Sequence, residues 1–136
     1  MLVSRIMRKP VTTITLETSV RAAAALMGKL NIGVLPVCDN GRPVGIVTDR
    51  DIVVRWASHA VTDSPIAPIM TPNVFACRLD QTIEQAAHLM SDWQIRRLVV
   101  LDASDAIVGI VTLGDIANDA SEKLAGETMG EIVEDR

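Results

Sequence analysis

The sequence predicts an α+β protein made of one β-α-β-β-α unit used twice, and three observations carry that prediction. The chain aligns with itself at an offset of 63 residues. Each copy holds a stretch of helical apolar periodicity between short β-branched runs. Polar turn residues recur at the same place in both copies, between the second and third strand candidates of each.

Setting Ile6-Met7 against Ile69-Met70 brings Val11 onto Val74, Leu16 onto Leu79, Ala23-Ala24 onto Ala86-Ala87, Leu26-Met27 onto Leu89-Met90, Ile32 onto Ile95 and Asp39 onto Asp102. One extra residue in the second turn moves the offset to 64, after which Val44-Gly45-Ile46-Val47-Thr48 repeats as Val108-Gly109-Ile110-Val111-Thr112, and Asp51-Ile52 as Asp115-Ile116. A period of about 60 exceeds most solenoid repeats and fits a duplicated mini-domain. Two copies this small are expected to share one core.

Residues 11–15 form a β-branched strand candidate. Val20, Ala23, Ala24 and Met27 follow the i, i+3, i+4, i+7 spacing of a helix with one buried face, as do Ile83, Ala86, Ala87 and Met90. Thr18 in the first copy, and Asp80 or Thr82 in the second, are candidate caps. Residues 34–38 and 98–101 read as buried strands. The turns Asp39-Asn40-Gly41-Arg42 and Asp102-Ala103-Ser104-Asp105 join them to third strands at 44–47 and 107–111. Helices follow at about 49–57 and 114–124. The division is therefore repeat 1 over 1–57, a linker over 58–68, repeat 2 over 69–121, and an acidic segment over 122–136. That segment either extends the last helix or forms a mobile tail.

The 136 residues are 49% hydrophobic and 22% charged, enough of both to argue against disorder. A net charge of −4 lacks the clustered positive charge that grips nucleic acid. With no Tyr, one Phe and two Trp there is no stacking platform for bases. No apolar run approaches the ~18 residues of a membrane span, and no signal-peptide pattern follows the basic N-terminal residues. Two cysteines make no disulfide framework, so a cytoplasmic location without membrane insertion is expected.

The recurring Gly-Ile-Val-Thr-x-x-Asp, at Gly45–Asp51 and again at Gly109–Asp115, carries the functional reading. Thr-x-x-Asp between a strand and a helix matches a capping box, with Thr at the N-cap and the Asp reaching back to a free backbone N–H. The same geometry suits a ligand. A helix start offers unpaired N–H groups to an anion, and a carboxylate one turn in accepts from two vicinal hydroxyls, as on a ribose. Gly45 and Gly109, at the strand starts, let a backbone or ligand come close. Capping and ligand binding both fit.

These residues resemble the cystathionine β-synthase (CBS) domain, and the chain resembles a stand-alone CBS pair, or Bateman module. The resemblance rests on Ile6-Met7 with Pro10, Ile69-Met70 with Pro72, the Leu35-Pro36-Val37 strand and both Gly-Ile-Val-Thr-x-x-Asp segments, and it covers about residues 1–120. It implies two repeats related by pseudo-two-fold symmetry, with clefts between them for adenosine-containing ligands: AMP, ADP, ATP, S-adenosylmethionine or NAD. It implies no required cofactor and no catalysis. Carried over by position, one cleft uses Thr48 and Asp51 with Phe75, Arg96 and Arg97. The other uses Thr112 and Asp115 with Thr12, Gly33, Val34 and Pro36. Arg96 and Arg97 suit phosphate, so the Thr48/Asp51 cleft is expected to prefer phosphorylated nucleotides and the other a less charged group. The resemblance further implies a homodimer, a flat disc of four repeats, and signalling to a separate, unidentified target protein. The alternative is a ligand-free assembly module in which Thr-x-x-Asp only caps helices.

Cys38 and Cys77 fall on apolar strand positions and read as small core residues. His59 and His88 lie in no zinc-ligand spacing, so no metal site is expected. Trp56 and Trp93 read as core residues near helix ends, with helix-face contacts between copies as the other use.

Overall fold

The computed structural model describes residues 1–59 and 62–132; Ala60 and Val61 of the expected linker, and residues 133–136 of the acidic segment, lie outside the described residues. The chain divides into two compact units. One is contiguous, Thr12–Val74; the other combines Met1–Val11 with Phe75–Arg136.

In the contiguous unit, β1 (Ile14–Thr15) pairs in parallel with β2 (Val34–Asp39), which pairs antiparallel with β3 (Arg42–Thr48). A parallel pair needs a crossover, and α1 (Val20–Leu30) supplies it. The β2–β3 turn places Asn40 and Gly41 at φ 52° and 78°, the left-handed pair that a tight hairpin requires and that Asn-Gly adopts readily. The second unit repeats the order 1-2-3 with β4 (Ala76–Arg78), α3 (Ile83–Trp93), β5 (Arg97–Leu101) and β6 (Ile107–Thr112). Its longer turn is held by the Asp102 carboxylate, which accepts the Ser104 and Ala106 N–H groups at 2.8 and 3.1 Å. Both hairpins shift register at matching places, between Val37 and Cys38 and between Val100 and Leu101.

Several expectations are corrected. The first strand is only Ile14–Thr15, and the cap of α1 is Ser19, whose hydroxyl accepts the Ala22 N–H at 3.1 Å. Thr18 cannot serve, because its hydroxyl accepts the Thr15 N–H in the turn before the helix. Thr82 caps α3 in a reciprocal box with Gln85. After β3, α2 (Asp49–Asp51) passes into a π-helical stretch, Ile52–Ala57. After β6 the helix is broken: α4 (Leu113–Asp119) ends at Ala120, and α5 (Glu122–Glu131) starts anew from the Ser121 cap. The acidic segment thus supplies a packed helix. Ala125, Thr128 and Ile132 are buried, and the Gln94 amide donates to the Glu131 carbonyl at 3.0 Å. Trp93 is 41% exposed, so it is no core residue.

Each unit also has its own buried cluster. Leu35, Val37, Val47, Val20 and Ile66 anchor one; Val3, Leu98, Val100, Val111, Met90 and Ile116 anchor the other. What completes each small cluster is the segment that opens the other copy. In the contiguous unit the Val20 N–H donates to the Ser64 carbonyl and the Ile66 N–H to the Thr18 carbonyl, both at 2.8 Å. In the other unit the corresponding bonds run from Ile83 to Met1 (3.0 Å) and from Val3 to Gln81 (2.8 Å). Residues 62–68 of the expected linker are therefore structural, with Ile66 fully buried.

The same segments run on to the third strands. Ile46 and Thr71 exchange two backbone hydrogen bonds at 2.9 and 2.8 Å, and Arg8 and Ile110 exchange two at 2.8 and 3.1 Å. Gly45 and Gly109 sit inside their strands, not at the starts, and the space a Cβ would need is filled. At Gly45 it would lie 2.7 Å from the Thr71 carbonyl oxygen and 2.8 Å from Met70 Sδ; at Gly109, 2.6 Å from Met7 Sδ. Backbone yields less easily than a methionine end. Gly45→Ala should therefore destabilise by about 2–3 kcal/mol and Gly109→Ala by about 1–2 kcal/mol, read from urea midpoints.

Cys38 and Cys77 are buried and unpaired in β2 and β4. Burial pushes the Cys77 thiol from 9.0 up to about 11. The folded thiol holds its proton where the unfolded one loses it, so this contribution to stability is intact below pH 9 and disappears as pH rises toward 11. Replacing Cys77 with Ala should flatten the fall in unfolding midpoint between pH 9 and 11, and alkylation of native Cys77 at pH 8 should be slow.

Candidate functional site

Both Thr-x-x-Asp segments sit at a strand end running into a helix, and both form full capping boxes. Thr48 Oγ1 accepts the Asp51 N–H at 3.1 Å while Asp51 Oδ2 accepts the Thr48 N–H at 3.0 Å. Thr112 and Asp115 do the same at 3.1 and 2.9 Å. The start of the second strand lies alongside each threonine: Val34 pairs with Thr48, and Arg97 with Thr112. One backbone bond closes the corner in each copy. The Asp49 N–H donates to the Gly33 carbonyl at 3.0 Å, and the Leu113 N–H to the Arg96 carbonyl at 2.9 Å.

Among the sequence-predicted residues, Thr48, Asp51, Gly33 and Val34 therefore come together in the contiguous unit. Pro36 is buried two positions along β2, opposite Ile46, and Thr12 is exposed just before β1. In the other unit Thr112, Asp115, Arg96 and Arg97 come together. Phe75 packs against Trp93, ring centroids 5.1 Å apart, and its carbonyl accepts the Val99 N–H. Arg96, Arg97 and Thr112 line an open cleft of about 560 Å³ whose walls are Leu113, Ala117 and the α5 residues Ala125 and Met129. Two guanidiniums at an apolar cleft suit a ligand with an anionic group and a flat apolar body.

Each aspartate has a further partner that sequence reasoning missed. Arg8 Nε donates to Asp115 Oδ1 at 2.7 Å, with the Asp115 side chain 2% exposed and that of Arg8 73% exposed. This hydrogen bond, and then the charge of Asp115, raises the Arg8 pKa above its ordinary value. At the other end the Thr71 hydroxyl lies 3.5 and 3.4 Å from the two Asp51 oxygens, and Arg55 Nε lies 3.8 Å from Oδ1. Arg8 and Thr71 correspond at the offset of 63, directly after the repeated Ile-Met. The signal was in the sequence: the residue following each Ile-Met is carried to the motif aspartate by the strand-like bridge. Among the described residues no three His, Cys, Asp or Glu side chains group as metal ligands, and no helix is long and apolar enough to cross a membrane.

Fold and site together define a two-repeat module in which each repeat presents a threonine–aspartate corner. The model of the CBS domain matches residues 3–57 and 66–122, and the chain belongs to that family. It is 34% identical to CBS domain-containing protein YhcV of Bacillus subtilis over 128 residues, 93% of this chain and 91% of that protein. It superposes with a TM-score of 0.78, at 35% identity, on the CBS domain pair of protein MJ0100 in complex with 5′-methylthioadenosine and S-adenosyl-L-methionine, covering 90% of this chain and 98% of that one. The CBS domain protein PAE2072 of Pyrobaculum aerophilum, complexed with AMP, matches at TM-score 0.78 and 25% identity over 93% of this chain and 99% of that one.

The two corners differ in what their carboxylates hold. Asp115→Ala removes a buried acceptor of a charge-assisted bond together with a cap partner, whereas Asp51→Ala removes a cap partner and two longer contacts. Losses of about 2–3 and about 1 kcal/mol respectively are expected in urea unfolding.

Proposed function

We propose that the chain is a regulatory binding module, not an enzyme, that takes adenosine-containing ligands at its two threonine–aspartate corners and passes ligand state to a separate protein. The observation that carries this reading is the duplicated corner itself: a buried or half-buried carboxylate beside a threonine hydroxyl, with second-strand residues alongside. Relatives of the same fold hold AMP, 5′-methylthioadenosine and S-adenosyl-L-methionine. AMP, ADP, ATP, S-adenosylmethionine and NAD all present the ribose diol that such a carboxylate accepts. Phe75, Arg96, Arg97, Thr12, Gly33, Val34 and Pro36 are the further ligand-lining residues of this proposal. The module works as a cytoplasmic homodimer and needs no cofactor; exposed Val53, Val54 and Trp93 supply apolar helix surface for association.

One observation favours the ligand-free assembly reading: both carboxylates already serve their own capping boxes. A thermal shift series separates the two. AMP at a hundred times its Kd should stabilise by about 2.7 kcal/mol. Asp51→Ala and Asp115→Ala should each weaken their own site by about ten- to a hundred-fold, the effect of losing hydrogen bonds to a charged group. Absence of any shift with AMP, ATP, NAD, S-adenosylmethionine and 5′-methylthioadenosine would leave the assembly reading in its place.

A further inference from the structure

The two corners share a backbone, and one of the side chains in which they differ touches the motif carboxylate directly: Arg8 in one copy, Thr71 in the other. In each, Oδ2 of the aspartate holds the N–H of its own N-cap threonine, so Oδ1 is the oxygen left to receive a ligand's hydroxyls. At Asp51 the neighbours of Oδ1 are the neutral Thr71 hydroxyl at 3.5 Å and Arg55 Nε at 3.8 Å, both too distant for a strong bond. At Asp115 the neighbour is the Arg8 guanidinium at 2.7 Å, a short charge-assisted bond to a buried carboxylate. A diol reaching Asp115 must first displace that guanidinium. Only the side chain needs to move, because the Arg8 N–H and carbonyl both stay bonded to Ile110. Once displaced it remains charged, exposed and tethered within a side chain's length of the carboxylate it left.

We propose that Arg8 sets the charge specificity of the Asp115 corner: it opposes neutral ribosides and admits those whose anionic group takes the place of Asp115 as its partner. The Asp51 corner, with Thr71 in the same position, makes no such demand. This inference rests on the ligand reading above, and it places the preference for charge at the Asp115 corner, opposite to the expectation drawn from Arg96 and Arg97.

The test compares AMP with neutral 5′-methylthioadenosine by calorimetry, in full-length protein carrying Asp51→Ala so that the Asp115 corner reports alone. Arg8→Thr, which reproduces the other copy, should tighten 5′-methylthioadenosine and weaken AMP, collapsing the preference for AMP by about tenfold or more, the effect of one charge-assisted bond. Arg8→Lys should keep most of the preference. Arg8→Gln, which retains a donor toward Asp115 without the charge, should lose it, and it reads the same ratio if Arg8→Thr does not fold. Equal weakening of both ligands by Arg8→Thr or Arg8→Gln would reduce Arg8 to a structural tie and overturn the inference while sparing the ligand reading. Binding of neither ligand to the Asp51→Ala protein, with AMP still binding the unmodified chain, would overturn the inference and confine the ligand reading to the Asp51 corner. Binding of neither ligand to the unmodified chain would overturn both.

Discussion

The contact on which the rest depends is the meeting of a methionine with a strand glycine. A three-stranded sheet with one crossover helix is too small to close its own cluster, and each unit solves this by taking in the segment that opens the other copy. Met70 fills the space beside Gly45, and Met7 the space beside Gly109. A Cβ at Gly45 would press on the Thr71 carbonyl that bonds Ile46, whereas one at Gly109 would press on the Met7 side chain alone. The glycine of Gly-Ile-Val-Thr-x-x-Asp is therefore a packing requirement, separate from anything its threonine and aspartate do.

That contact also decides what the aspartates face. The bridge fixes the residue after each methionine beside the motif carboxylate, and chemistry at that position is free to differ because its backbone alone holds the segment in place. The same scaffold thereby presents a closed, ion-paired corner in one copy and a looser, hydroxyl-lined corner in the other. The capping and ligand readings of Thr-x-x-Asp are compatible in this geometry. The cap uses one carboxylate oxygen and leaves the second for exchange between an internal partner and an external one.

Much of this was legible in the sequence. The offset of 63, the helix periodicities and the Asn-Gly turn are local signals, and the strands, crossover helices and hairpins they predict are present. Both capping boxes were readable from Thr-x-x-Asp alone. What escaped was non-local or competitive. Thr18 and Ser19 are equally good caps on paper, and only the turn hydrogen bond of Thr18 to Thr15 separates them. The break at Ala120 leaves no proline or glycine behind, and α5 hides its buried Ala125 and Thr128 among glycines and acids. The Arg8–Asp115 pair spans 107 positions, and it needed the bridge between strand and opening segment to become visible.

The division of the chain sets an order of events during synthesis. Met1–Val11 is made before Thr12–Val74, yet its place is beside strands made after it, whereas Thr12–Val74 draws on one continuous stretch. Until those later strands are made Val3 and Ile6, buried in the finished molecule, have no strand to cover them. The nascent protein thus carries two apolar side chains that wait while the contiguous unit is made, and they are covered only once β5 and β6 have followed.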